Sequence, residues 1–311
     1  MPHKANNGRI IRNASEWRAL MQAWDQPSRS ETTARAAFMV APDGFTLAAE
    51  SASDNVYMAN GNVDAALALR QHRALAEAIG QSLPVRVFPG HADTPDAVFP
   101  NNVFATVPGK LIVGAMRHPV RQRESLRADL PAWFADQHGY VTERIDRPGV
   151  VAELTGPLII DHARNIGYCG ISERVNEAGL LAMQQAFGFD ALFAFDLVPG
   201  EYHTNVVMSV LAGRALVIHA ASIADAGAAR AIAALYGDHV LWLSDAEKAA
   251  FVGNCIALRE DEVWMSERAA AALSVEHRHQ LSELGFAVRS VDISEIEKAG
   301  GSLRCCVAEV W

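Results

Sequence analysis

The chain has 311 residues, half of them apolar, with 36 acidic against 27 basic side chains and a net charge of −9. That size supports a sizeable core, and an acidic balance without any basic block argues against a nucleic-acid groove. No apolar run approaches the ~20 residues that a membrane-spanning helix needs.

The first residues hold no apolar stretch of the secretory kind. Cys169, Cys255, Cys305 and Cys306 show neither disulfide-scaffold nor zinc spacing, so a reducing, cytoplasmic setting is expected. Residues 1–35 read as a peripheral extension: a short helix over 15–24 capped by Ser15, with Trp17 and Trp24 on one face, then a polar linker. Residues 36–311 read as a single domain.

From there a pattern recurs. Apolar residues at helical spacing mark helices over 63–79, 121–137, 173–187, 223–236 and 267–284. Each is followed by a strand, at 84–88, 140–145, 191–195, 239–243 and 286–291. Strand pairs lie between them, at 103–107 with 111–115, 158–161 with 166–169, 206–211 with 215–218, and 255–259 with 262–265. A repeat of roughly 50 residues indicates an array of ββαβ units. Five units suit a closed ring, an α/β propeller with five-fold pseudosymmetry, in which a strand over 305–310 completes the first unit. The alternative is an ordinary α/β sandwich, where helices and strands also alternate.

Residues able to carry chemistry fall at the ends of these strands, where sites usually sit. Asn101 and Asn102 enter a strand although asparagine is depleted there. Glu153 precedes a Gly-Pro turn, and His203 and Asn205 share a face if their segment is a strand. Arg121 and Arg174 open the second and third helices. Gly300-Gly301 leads to Cys305 and Cys306, which on a strand would point to opposite faces. A cysteine, a histidine, an acid and paired amides make a nucleophile, a base, an orienting group and polar clamps. Taken singly, each has a plain structural explanation as a cap, a core residue or a surface charge.

These motifs, in this order, resemble the pentein superfamily: arginine deiminases, dimethylarginine dimethylaminohydrolases, amidinotransferases and succinylarginine dihydrolases. The similarity runs over about 38–311 and is greatest to the amidinotransferase-related branch associated with citrulline hydrolysis. It implies Cys305 rather than Cys306 as nucleophile, His203 as general acid/base and Glu153 as catalytic acid. It further implies that Arg121 and Arg174 hold a substrate α-carboxylate, and that Asp96 lies near the substrate's amino end. Arginine-directed relatives carry aspartates where this chain has Asn102 and Asn205. Two amides can donate to and accept from a neutral ureido group but cannot neutralise a guanidinium. Leu154-Thr155 also departs from the glycine-rich continuation usual after the acid.

The expected activity is therefore hydrolysis of a ureido amino acid such as citrulline to ornithine, CO2 and ammonia, needing neither metal nor organic cofactor. Hydrolysis of arginine or an acyl-arginine is the alternative, with amidino transfer behind it. A non-catalytic pentein ring that binds protein or ribosome is the reading from another class. The partner expected is a small amino acid, with homo-oligomerisation possible and no nucleic acid or membrane involved.

Overall fold

Where β-branched and aromatic residues run between turn residues, the chain extends and pairs. The computed structural model describes residues 8–25, 28–59 and 61–311. The extreme N-terminal stretch read for a secretory leader, and two linker positions, lie outside the described residues. Among the described residues the strands form five sheets. Each has the same plan, an antiparallel pair extended by a parallel strand that arrives after helical chain. Phe104–Val107 pairs antiparallel with Lys110–Val113, which pairs parallel with Val141–Arg144. Leu158–Asp161, Ile166–Ile171 and Ala191–Asp196 repeat this. So do Met208–Leu211, Ala215–Ile218 and Val240–Trp242, and then Ile256–Arg259, Glu262–Ser266 and Ala287–Val291.

The first sheet is assembled from both ends of the domain. Ala36–Val40 lies parallel to Val85–Phe88 and antiparallel to Ala308–Val310. The chain's last strand thus closes the ring, as the repeat implied. Alternation along the strands shows why the closure is stable: Ala37 and Met39 pack toward the fifth sheet, Phe38 and Val40 toward the second. Five apolar clusters fill the five junctions between neighbouring sheets. Each sheet is buried on both faces, which is what apolar residues at successive positions require.

Several boundaries differ from the sequence reading. The helix at 15–24 is Ala14–Gln22, capped by Asn13 rather than Ser15, so Trp24 lies beyond its end. The segment expected to be peripheral is built in. Arg9–Ile11 adds a fourth strand to the third sheet, and Trp17 is fully buried, stacked on Phe193 at 5.0 Å. The second long helix breaks into Pro119–Gln122, a 3-10 turn Arg123–Leu126, and Asp129–His138. The fifth splits at Leu273, because Ser274 starts a new helix by capping His277 N–H.

Candidate active site

Just before the first strand of several units the chain makes a helical turn and is not extended. Asn101 and Asn102 sit in the 3-10 turn Pro100–Asn102. His203 precedes the helical turn Thr204–Val207, which holds Asn205, so the shared-face reading of a strand fails. Cys305 and Cys306 lie on the turn Leu303–Cys306, not on a strand, so opposite strand faces cannot distinguish them. Their surroundings do: Cys305 lines a pocket, whereas the Cys306 thiol points to Ser302 O at 3.6 Å.

That pocket is lined by Ser51, Asp96, Asn102, Arg121, Arg174 and Cys305, with Asn55, Phe99 and Tyr202 around them. His203 and Glu153 are both fully buried, with Nε2 and Oε2 2.9 Å apart. Arg174 reaches the same carboxylate at 3.1 and 3.3 Å, and Arg117 N–H donates to it at 3.2 Å. Burial alone would raise the Glu153 pKa, but the Arg174 charge and the His203 bond hold it well below the usual range. The carboxylate is thus ionised and accepts from His203 Nε2–H. Nδ1 is left as the lone-pair nitrogen, buried and without a partner among the described residues. Burial pushes the histidine down to about 4, against the pull of Glu153, so the imidazole is neutral at pH 7.

The Cys305 sulfur has asparagines for neighbours. Asn254 Nδ2 is 3.3 Å away, and Asn205 Oδ1 is 3.8 Å away. Asn205 Nδ2 is committed to Thr155 O at 2.9 Å. The side chain of Asn102, by contrast, has no hydrogen bond among the described residues, and its buried Oδ1 is unpartnered. Asp96 is 2% exposed and takes one hydroxyl, from Ser51 at 2.5 Å; its Oδ1 has no partner. Burial raises its pKa against the pull of Arg121.

The two arginines are less free than their proposed role implies. Arg121 forms a fork with Glu124 at 2.8 and 2.9 Å and also donates to Phe99 O. Arg174 does not open a helix: it lies in the loop before Glu177–Phe187 and binds Asp54 and Ser51 O besides Glu153. Both still line the pocket.

Asn254 escaped the sequence reading, although a signal for it existed. It precedes the first strand of its unit as Asn205 does, 49 residues on, and Cys305 follows 51 later. Asp54 carried no such signal, since its contact with Arg174 spans 120 residues of unrelated chain. Among the described residues no group of histidines, cysteines and acids could hold a metal ion, and no helix is long and apolar enough to cross a membrane.

Several known proteins are similar to this chain. The protein YkgA of Bacillus subtilis (strain 168), itself uncharacterized, is 25% identical over 258 residues, covering 81% of each chain. The Caenorhabditis elegans protein ZK1307.1 is 24% identical over 274 residues, covering 86% of this chain and 91% of its own. The substrate-bound N-terminal domain of ArgZ, a cyanobacterial arginine dihydrolase, superimposes with a TM-score of 0.76 at 21% identity, over 88% of this chain and 97% of that one. A dimethylarginine dimethylaminohydrolase, solved as its adduct with S-methyl-L-thiocitrulline, gives 0.66 at 20% identity over 89% and 99%. These structural likenesses show the fold, a pentein ring. The family model described as N,N dimethylarginine dimethylhydrolase, eukaryotic, matches residues 41–311. By that match the chain belongs to the dimethylarginine dimethylaminohydrolase family of the pentein superfamily.

Proposed function

We propose that this chain is a cysteine hydrolase of C–N bonds whose pocket takes a ureido amino acid, citrulline fitting best. The observation that carries this reading is the set of neutral amides at the nucleophile. Asn205 and Asn254 flank the sulfur, and the uncommitted amide of Asn102 lines the pocket. A ureido group has both N–H donors and a carbonyl acceptor, which an amide can match; a guanidinium among these amides would have Asp96, already bonded by Ser51, as the one carboxylate lining the pocket among the described residues.

In this mechanism the Cys305 sulfur attacks the ureido carbon, and a proton passes through His203 Nδ1 to the departing nitrogen. Glu153, ionised and bound to Nε2–H, stabilises the imidazolium while it exists. Ammonia leaves and an S-carbamoyl thioester remains, still attached to the amino-acid side chain. Water, deprotonated by Nδ1, attacks its carbon and expels the sulfur. The carbamate formed releases CO2 and leaves ornithine. The sum is citrulline plus water to ornithine, CO2 and ammonia. Arg121 and Arg174 would grip the α-carboxylate and Asp96 the α-ammonium.

A guanidino entry substrate is the second reading. It is favoured by the family's dimethylarginine chemistry and by the chain's likeness to ArgZ, an arginine dihydrolase. Arginine would then lose ammonia twice, passing through the ureido stage. Measuring kcat/KM and ammonia yield for citrulline and arginine separates the two. Citrulline should be the better substrate, with one ammonia released per ornithine. Asn102→Asp should lower kcat/KM for citrulline by about ten- to a hundredfold, the cost of an unmatched buried charge or acceptor, and improve arginine. A wild type that prefers arginine and releases two ammonias per ornithine establishes the second reading instead.

A further inference from the structure

The amide of Asn254 occupies a position that the reaction as written above does not use. The side chain is fully buried at the junction of the fourth and fifth units and the closing segment. Its Oδ1 accepts the backbone N–H of Arg304 at 3.0 Å, which settles which end of the amide is which. Its Nδ2 then donates to Asn205 O at 2.7 Å and lies 3.3 Å from the Cys305 sulfur, nearer than Oδ1 at 3.7 Å. An N–H donor at that distance favours sulfur in its anionic form over the thiol.

We propose that Asn254 is a further catalytic residue, the donor that stabilises the Cys305 thiolate before substrate attack and as the sulfur departs. The inference rests on Cys305 being the nucleophile. No other side chain donates a hydrogen bond to the sulfur among the described residues. His203 is bound to Glu153 through Nε2 and has no hydrogen bond to the sulfur among the described residues. The guanidinium of Arg304 is turned to Val307 O and Glu309. Arg121, Arg174 and Asp96 line the pocket but are engaged with Glu124, with Asp54 and Glu153, and with Ser51. Tyr202 donates its hydroxyl to Gly300 O, and the Cys306 thiol turns to Ser302 O. Burial raises the Cys305 pKa; the Ser302 backbone and the Asn254 amide oppose it through hydrogen bonds, and the Arg304 and Arg121 charges oppose it without one.

The test is the pH dependence of Cys305 alkylation by iodoacetamide, with the modified residue located by mass spectrometry, in wild type, Asn254→Ala and Asn254→Asp. Losing the donor should move the alkylation midpoint up by about one to two pH units. Asn254→Asp should move it further than Asn254→Ala, because the aspartate keeps the shape and the acceptor but sets a negative charge against the sulfur. A merely structural asparagine leaves the midpoint of the alanine variant at the wild-type value, whereas a charge at 254 raises the midpoint whatever the asparagine does. An unmoved midpoint in the alanine variant overturns the proposal; if that variant fails to fold, Asn254→Leu, which has neither a donor nor a charge, decides in its place. Alkylation needs no substrate, so an error in the citrulline reading leaves this test intact. Rapid alkylation at a different cysteine would show instead that the nucleophile assignment itself is wrong.

Discussion

A Cβ at position 156 would lie 2.6 Å from both Cε1 and Nε2 of His203, closer than nonbonded carbon and nitrogen atoms come. Gly156 is therefore the floor on which the imidazole lies, with the Tyr202 ring 4.4 Å away between centroids. Gly156→Ala should push the ring off Glu153 while leaving the backbone bonds of Gly156 to Glu153 and Asn205 in place. We expect kcat to fall on the order of a hundredfold, the usual cost of an ångström-scale misplacement, with a stability loss of about 1–3 kcal/mol from overpacking. Steady-state rates and thermal melts on the same preparation check this. Wild-type kcat in the alanine variant would show that the ring position is immaterial. The neighbouring Leu154 holds φ at +32°, the left-handed side that favours glycine. Its departure from a glycine-rich continuation is thus accommodated as backbone strain beside Glu153.

At the scale of an element, the added strand and first helix are part of the folded ring. Trp17 stacks on Phe193 and meets the edge of Tyr168 at 5.7 Å, inside the cluster joining the third and fourth sheets. Those strands end near Glu153 and His203 but do not carry the reacting atoms. Trp17→Ala should therefore cost about 3–5 kcal/mol and lower the urea midpoint, while folded protein keeps its kcat. A variant as stable as wild type would mean that the helix is only laid against the surface.

For the whole molecule, burial excludes protons from histidines far apart in the ring. His72 and His203 are pushed down to about 4, and His162 to about 3. Between the ordinary value of 6.5 and about 4, the unfolded chain binds a proton at His72 that the folded chain refuses. Stability from this group is intact above 6.5 and falls as pH drops through that window. His72 is a clean probe, being remote from the pocket and having a buried Nε2 without a partner. His72→Gln should reduce the acid-side loss of stability by up to about 3 kcal/mol, at about 1.4 kcal/mol per pKa unit. Urea unfolding of both proteins at several pH values gives the difference. Parallel pH profiles would show that His72 titrates normally in the folded state.

The sequence by itself determined the ring. Five apolar repeats, each needing neighbours on both sides, leave few arrangements other than closure, and the C-terminal strand was legible as the piece that completes it. The residues it singled out, Glu153, His203, Asn102, Asn205, Asp96, Arg121, Arg174 and Cys305, do converge on one end of the units. Their local geometry was not legible, because period-two and helical patterns cannot be told apart in four-residue turns such as Thr204–Val207 and Leu303–Cys306. Only the tertiary structure decided which partners each side chain keeps. Glu124 and Asp54 hold the arginines, Glu153 selects the tautomer of His203, and Asn254 faces the sulfur. Those contacts join parts of the chain that sequence spacing does not relate, since the ring brings them together only when its last strand closes on the first.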